Sequence, residues 1–205
     1  MIIKPETRVI LQQNTSWLII SLLFFIIGII IAYTAPRNGF LYLGDVAEGQ
    51  YQFLQEMARL VFEGSPIRGI AILFFNNLLA SLQAMFLGII LGIPTLLGLF
   101  TNGALLGYLM KELSLEGVSL LPFISLGILP HGIFELPAFF FSTAFGLKLG
   151  FHLVFPLPNK KRGESLKQVL KEYWTILPLV VCLLVIAAVI EVLVTPALLG
   201  LVIDL

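Results

Sequence analysis

The 205-residue chain is 59% hydrophobic and 12% charged, with a mean hydropathy of +1.02, which excludes a soluble globular domain, since no interior of this size takes up so much apolar surface. Its formal net charge is zero and it has one cysteine, Cys182, which excludes a basic footprint for nucleic acid and an intramolecular disulfide. The apolar runs are continuous rather than alternating, unlike a membrane β-barrel, so the chain reads as an all-α polytopic membrane protein, one membrane domain over residues 1–205.

Residues 1–15 carry Lys4 and Arg8 and precede a first span at 16–35. Trp17 and Tyr33 at its ends suit the two membrane interfaces. The apolar core is too long for a signal peptide and Pro36 follows directly where cleavage would fall, so the helix is expected to be retained. The polar segment 36–67 reads as an outer loop. In it Tyr51, Leu54, Met57, Ala58 and Val61 recur at helical spacing opposite Gln52, Gln55, Glu56 and Arg59, the pattern of an amphipathic surface helix.

From Arg68 to Met110 the chain is apolar for 43 residues, about twice the ~20 needed to cross a bilayer. Two spans are expected, 68–92 and 94–111, with Gly92-Ile93-Pro94 as the turn. They carry Asn76, Asn77, Gln83 and Asn102, which need partners in hydrocarbon. Lys111, Glu112 and Glu116 mark the next loop.

The apolar stretch Val118–Pro156 approaches two membrane thicknesses but contains no polar turn. Charge decides how often it crosses. With a cytoplasmic N-terminus and one net crossing, Lys4, Arg8, Lys148, Lys160, Lys161, Arg162, Lys167 and Lys171 lie inside, against Arg37, Arg59, Arg68 and Lys111 outside. That distribution obeys the positive-inside rule. The stretch therefore reads as a span at 131–153 preceded by a broken or re-entrant segment near 118–137. An inner loop at 156–172 follows, with a second amphipathic helix in which Leu166, Val169, Leu170 and Tyr173 share a face beside Lys167 and Lys171. The last of about five spans runs over 173–195. Glu191 near its outer end is read as interfacial, within reach of water.

One string stands apart from this pattern: Pro130-His131-Gly132-Ile133-Phe134-Glu135-Leu136-Pro137-Ala138. Histidine and glutamate four residues apart share a helix face. A charged group at membrane depth costs at least ~2.5–3.5 kcal/mol on insertion scales and usually faces a protein interior or a water-filled cavity. His131 and Glu135, with Asn76, Asn77 and Asn102, are thus the candidate intramembrane polar site. Pro94, Pro130, Gly132 and Pro137 are the candidate helix-breaking positions. The pair can ligate a divalent metal, pass a proton, or satisfy backbone freed by the break. One histidine and one glutamate are too few ligands to assign a resident metal, and no cofactor is assigned. The only histidines are His131 and His152, so a two-histidine zinc-protease motif is missing, as are a nucleophile motif and a phosphate loop. No catalytic residue is assigned and the protein is not expected to be an enzyme.

Taken together, Phe75-Asn76-Asn77, the Gly-Ile-Pro-Thr turn, Asn102-Gly103 followed by Gly107, and the Pro-His-Gly…Glu-Leu-Pro-Ala string resemble the stage II sporulation protein M family over roughly residues 15–200. The resemblance implies a five-span protein of the cell membrane, a non-enzymatic scaffold or anchor for cell-envelope partners. Those partners would be peptidoglycan hydrolases resembling stage II sporulation proteins D and P, as in engulfment during sporulation. The complete string is more similar to the broad branch of the family found in organisms that make no spores. The alternative reading of the same residues is a transporter or channel-like protein built around His131 and Glu135. The lipid bilayer is the expected surrounding, a homo-oligomer is left open, and nucleic acid is not expected as a partner.

Overall fold

The computed structural model describes residues 4–36 and 44–200, except the side chains at 44–48, 50, 51, 53 and 54. Arg37 and the Tyr51 and Leu54 side chains therefore lie outside the described residues. Among the described residues the regular structure is all helical: α1 Pro5–Gln13, α2 Thr15–Thr34, α3 Gly44–Phe62, α4 Pro66–Phe86, α5 Ile93–Leu115, the single turn α6 Leu120–Pro122, α7 Leu129–Val154, α8 Arg162–Leu193 and α9 Thr195–Leu199. Five helical runs are long and apolar enough to cross a membrane: Thr15–Thr34, Pro66–Ile89, Ile93–Leu115, Leu120–Val154 and Arg162–Leu193. The fold is that of an all-α polytopic membrane protein.

The turn between α4 and α5 is made by residues that cannot continue a helix. A 3-10 turn at Leu87–Ile89 leads to Leu91 and Gly92 at φ 56° and 74°, a left-handed conformation that glycine adopts without steric penalty. Pro94 then sits in the first turn of α5, where its missing N–H has no helical partner to lose. The Thr95 hydroxyl donates to the Ala84 carbonyl at 2.7 Å and ties the two helices together beside the turn.

Within the 118–137 window the irregularity is a wider, π-helical stretch at Phe123–Ile128. Pro130 opens α7, whereas Gly132 and Pro137, taken from the sequence as breaking positions, lie inside it. Proline removes one backbone hydrogen bond, but away from water the remaining backbone has no better partner than its own helix, so the helix continues.

A second difference concerns the basic segment before the last span. It is the opening of α8 rather than a separate surface helix, and the expected inner loop at 156–172 shortens to residues 155–161. The Lys161 N–H donates to the Glu164 carboxylate at 2.8 Å, and no proline interrupts the chain from there to the membrane. Val169 and Tyr173 turn into the core while Lys167 and Lys171 stay exposed.

Packing is strongest between α2 and α5 and between α7 and α8, with α4 lying on both α7 and α8. At Gly103 and Gly107 of α5 a Cβ would fall within 3.0 Å of the Phe25 and Ile29 carbonyls of α2. Such close approach is how membrane helices associate where lipid supplies no hydrophobic drive. One core cluster joins Met85, Phe145, Leu149, Val169, Tyr173 and Ile176, and another joins Phe25, Leu99 and Leu147. At the end of the bundle beside α1, Lys148 pairs with Glu172 at 2.5 Å, and Gln168 donates to the same carboxylate at 2.7 Å. At the other end α3 packs on α4 and α5, burying Val61 and leaving Leu60, Phe62 and the Arg59–Glu63 ion pair exposed.

Candidate functional site

The polar residues of three helices converge because of their positions along the helix axes. Asn76 and Asn77 lie ~15 Å from the start of α4, and Asn102 lies at a similar depth in α5, counting ~1.5 Å per residue. His131 and Glu135 occupy successive turns at the start of α7. A cavity of about 410 Å³ is lined by Asn76, Asn77, Asn102, His131, Gly132 and Glu135, together with Ser81, Phe25 and other apolar side chains. All five residues of the candidate polar site therefore share one chamber.

Within it the asparagines and the ionisable pair are separate hydrogen-bonding sets. Asn76 Nδ2 donates to Asn77 Oδ1 at 3.3 Å, and Asn102 Nδ2 donates to the Gly98 carbonyl at 2.8 Å. Among the described residues no hydrogen bond joins an asparagine to His131 or Glu135, so the amides line the chamber without anchoring the pair. His131 instead meets α9: its Nδ1 is 3.4 Å from Thr195 Oγ1, and that hydroxyl donates to the Ile190 carbonyl at 3.4 Å. A hydroxyl has one proton: when it goes to Ile190, the imidazole Nδ1–H is the donor to Thr195 and Nε2 keeps its lone pair, and when it goes to Nδ1 the tautomer is reversed.

Glu191, read from the sequence as interfacial, has partners in the structure that the sequence did not show. α7 and α8 pack against each other in opposite directions, so the last turn of α8 faces the first turns of α7. Glu191 there joins His131 and Glu135 in a cluster whose ligand-bearing atoms all lie within 4.8 Å of one another. All three side chains are partly buried. The signal for Glu191 is present in the sequence, as the only charged residue between Glu172 and Asp204; what was missing is which helix faces it.

A second cavity, of about 330 Å³, adjoins this cluster, lined by Phe62, Gly127, His131, Glu191, Thr195, Pro196 and Leu199. His131 lines both cavities, Glu135 the first and Glu191 the second. The lysines are held elsewhere: Lys148 pairs with Glu172, and Lys111 donates to the Ala35 carbonyl. Such an arrangement can hold a cation, pass a proton between carboxylates, or bind a small polar solute.

The sequence profile of the family described as Stage II sporulation protein M matches residues 21–196. Two proteins of Methanocaldococcus jannaschii are similar. The uncharacterized protein MJ0793 is 34% identical over 121 residues, covering 59% of this chain and 67% of its own. The uncharacterized protein MJ0706 is 30% identical over 184 residues, covering 87% and 81%. No solved structure matches the chain. With the profile spanning all five apolar runs and the site between them, the chain belongs to the stage II sporulation protein M family.

Proposed function

We propose that the protein is a non-enzymatic carrier of the cell membrane that admits a small polar or cationic solute to the chamber inside its bundle. One observation supports the reading: the 410 Å³ cavity lined by three asparagines, His131 and Glu135, with Glu191 beside the pair and a second cavity adjoining it. Ionisable groups among apolar helices are costly and commonly mark solute or ion pathways. The N-terminus is cytoplasmic, because the eight basic residues counted above then lie on the inner side. The test is reconstitution into liposomes carrying entrapped proton and divalent-cation indicators. Wild-type protein dissipates an imposed gradient and His131→Asn/Glu135→Gln does not; equal leakage from wild-type, double-variant and protein-free liposomes refutes the reading.

Family membership favours a second reading, a scaffold that holds peptidoglycan hydrolases resembling stage II sporulation proteins D and P. The exposed Leu60 and Phe62 of α3, beside the bundle end, would then offer a contact surface. A scaffold needs the fold but not the ionisable groups. A deletion strain complemented by the same double variant, at normal membrane abundance, separates the two: restored envelope growth supports the scaffold, and complete loss removes it.

A further inference from the structure

The last turn of α8 supplies what α7 lacks. His131 and Glu135 alone are two ligands, and Glu191 brings a third to the same point, with the ligand-bearing atoms mutually within 4.8 Å. We propose that His131, Glu135 and Glu191 form a binding site for a divalent transition-metal ion such as Zn²⁺ or Mn²⁺. The inference deepens the carrier reading above and rests on it for the ion's role, although binding is measurable without transport.

The donor set fits such an ion. One imidazole nitrogen and two carboxylate oxygens are the ligand types that zinc and manganese take from proteins. Thr195 is placed to hold the ring: in the tautomer with Nδ1–H directed at the Thr195 hydroxyl, 3.4 Å away, Nε2 remains a Lewis base. A ring orientated by its other nitrogen is the usual support of a metal-bound histidine. Charge fits as well. Two carboxylates and a neutral imidazole balance a divalent ion, so the filled site has no net charge to be solvated among apolar helices. Without an ion the carboxylates oppose each other: among the described residues neither Glu135 nor Glu191 accepts a hydrogen bond or pairs with a lysine or arginine.

Geometry adds access. Two cavities adjoin the cluster, and His131 lines both. Three protein ligands leave at least one position of a tetrahedral ion open, and that position can face water or solute from either chamber.

The experiment uses the full chain in detergent, stripped with a chelator and exchanged into metal-free buffer. Zn²⁺ is titrated calorimetrically, and Mn²⁺ by the paramagnetic resonance signal of the free ion. One ion per chain is expected, with binding weakened at least tenfold in Glu135→Gln and in Glu191→Gln, and unchanged in the exposed control Glu63→Gln. Glutamine keeps the volume of glutamate and relieves the repulsion, so these variants are expected to elute as wild type does. The inference is overturned if wild type binds neither ion, or if Glu135→Gln/Glu191→Gln binds as tightly as wild type. Failure here is distinct from failure of the carrier reading. Bound metal in a protein that moves nothing across liposomes keeps the site and removes the carrier, whereas gradient dissipation without metal binding does the reverse.

Discussion

Two glycines of α5 offer one chemical change with opposite expected outcomes. At Gly103 a Cβ would lie within 3.0 Å of the Phe25 carbonyl, and the obstruction is the backbone of α2 rather than a side chain that can swing away. At Gly98, five residues earlier, a Cβ meets nothing within 4 Å. Gly98→Ala therefore gains only helix propensity, up to ~1 kcal/mol. Gly103→Ala gains the same propensity but must push α2 and α5 apart by ~1 Å to reach normal contact, and a gap of that size forfeits roughly a quarter to a half of each dispersion contact it opens. Overpacked sites lose ~1–3 kcal/mol. Because Gly107 sits equally close to Ile29, the helices cannot pivot about that point to relieve the strain. Gly103→Ala is expected to be less stable than Gly98→Ala by about 2 kcal/mol or more, using the same overpacking range. The assay is reversible unfolding of both variants in one detergent, followed by tryptophan fluorescence and circular dichroism. Equal stability of the two variants would refute the close-packed seam between α2 and α5. The seam also brings Phe25 and Asn102 into the lining of the same cavity, so Gly103→Ala should disturb the site as well as the fold.

Other consequences are as direct. Lys148→Met leaves Glu172 with Gln168 and Asn14 as its remaining partners at 2.7 and 3.4 Å; breaking a buried pair costs ~3–5 kcal/mol, reduced here to about 1–3 because water reaches the carboxylate. Lys148→Met/Glu172→Leu should recover most of that loss in thermal unfolding, and a double variant no more stable than the single one contradicts the pairing. In a Cys182→Ala background, Lys161→Cys should resist an impermeant thiol reagent in intact cells and react after permeabilisation; labelling from outside reverses the topology. Glu191→Gln should abolish gradient dissipation as completely as Glu135→Gln does, whereas an interfacial Glu191 would leave it unchanged.

What could be read from the sequence follows what hydropathy measures. Run length sets span number, so the five apolar helices were legible, and the Gly92-Pro94 pair marked a turn because those two residue types have backbone restrictions of their own. The five polar residues of the site were legible one by one, since each violates the apolar rule where it stands. Helix continuity was not. The basic residues from Lys160 to Lys171 look like a surface segment because their charge belongs in water, yet Val169 and Tyr173 on the same turns belong in the core; one helix satisfies both by presenting two faces. Gly132 and Pro137 look like breaks by intrinsic propensity, but propensity is measured in water, where a released backbone group finds a partner at once.

The partners of Glu191 were not legible because position along one helix does not say what the neighbouring helix places beside it. A glutamate two residues from the end of a span is near water if its neighbours end at the same level. The neighbour here does not: the run from Leu120 to Val154 has 35 residues, ~52 Å at ~1.5 Å per residue, against ~30 Å of hydrocarbon. Its opening part, the π-helical stretch at Phe123–Ile128, lies against α9. Gly127 of that stretch and Thr195, Pro196 and Leu199 of α9 complete the chamber into which Glu191 points. The over-long helix thus brings His131, Glu135 and a cavity wall to the end of α8 where Glu191 stands. The wider turns of a π-helix shift the register of the residues that follow, so a change at Phe123–Ile128 should alter the site without touching any of its three ionisable groups. Deleting one residue there, for example Ser125, would restore α-helical spacing and rotate the segment before α7 by about 100°, one residue's share of a 3.6-residue turn. The expected result is a protein that still inserts with five spans but binds metal at least tenfold more weakly. Unchanged binding would mean that the π-helical stretch has no part in shaping the site.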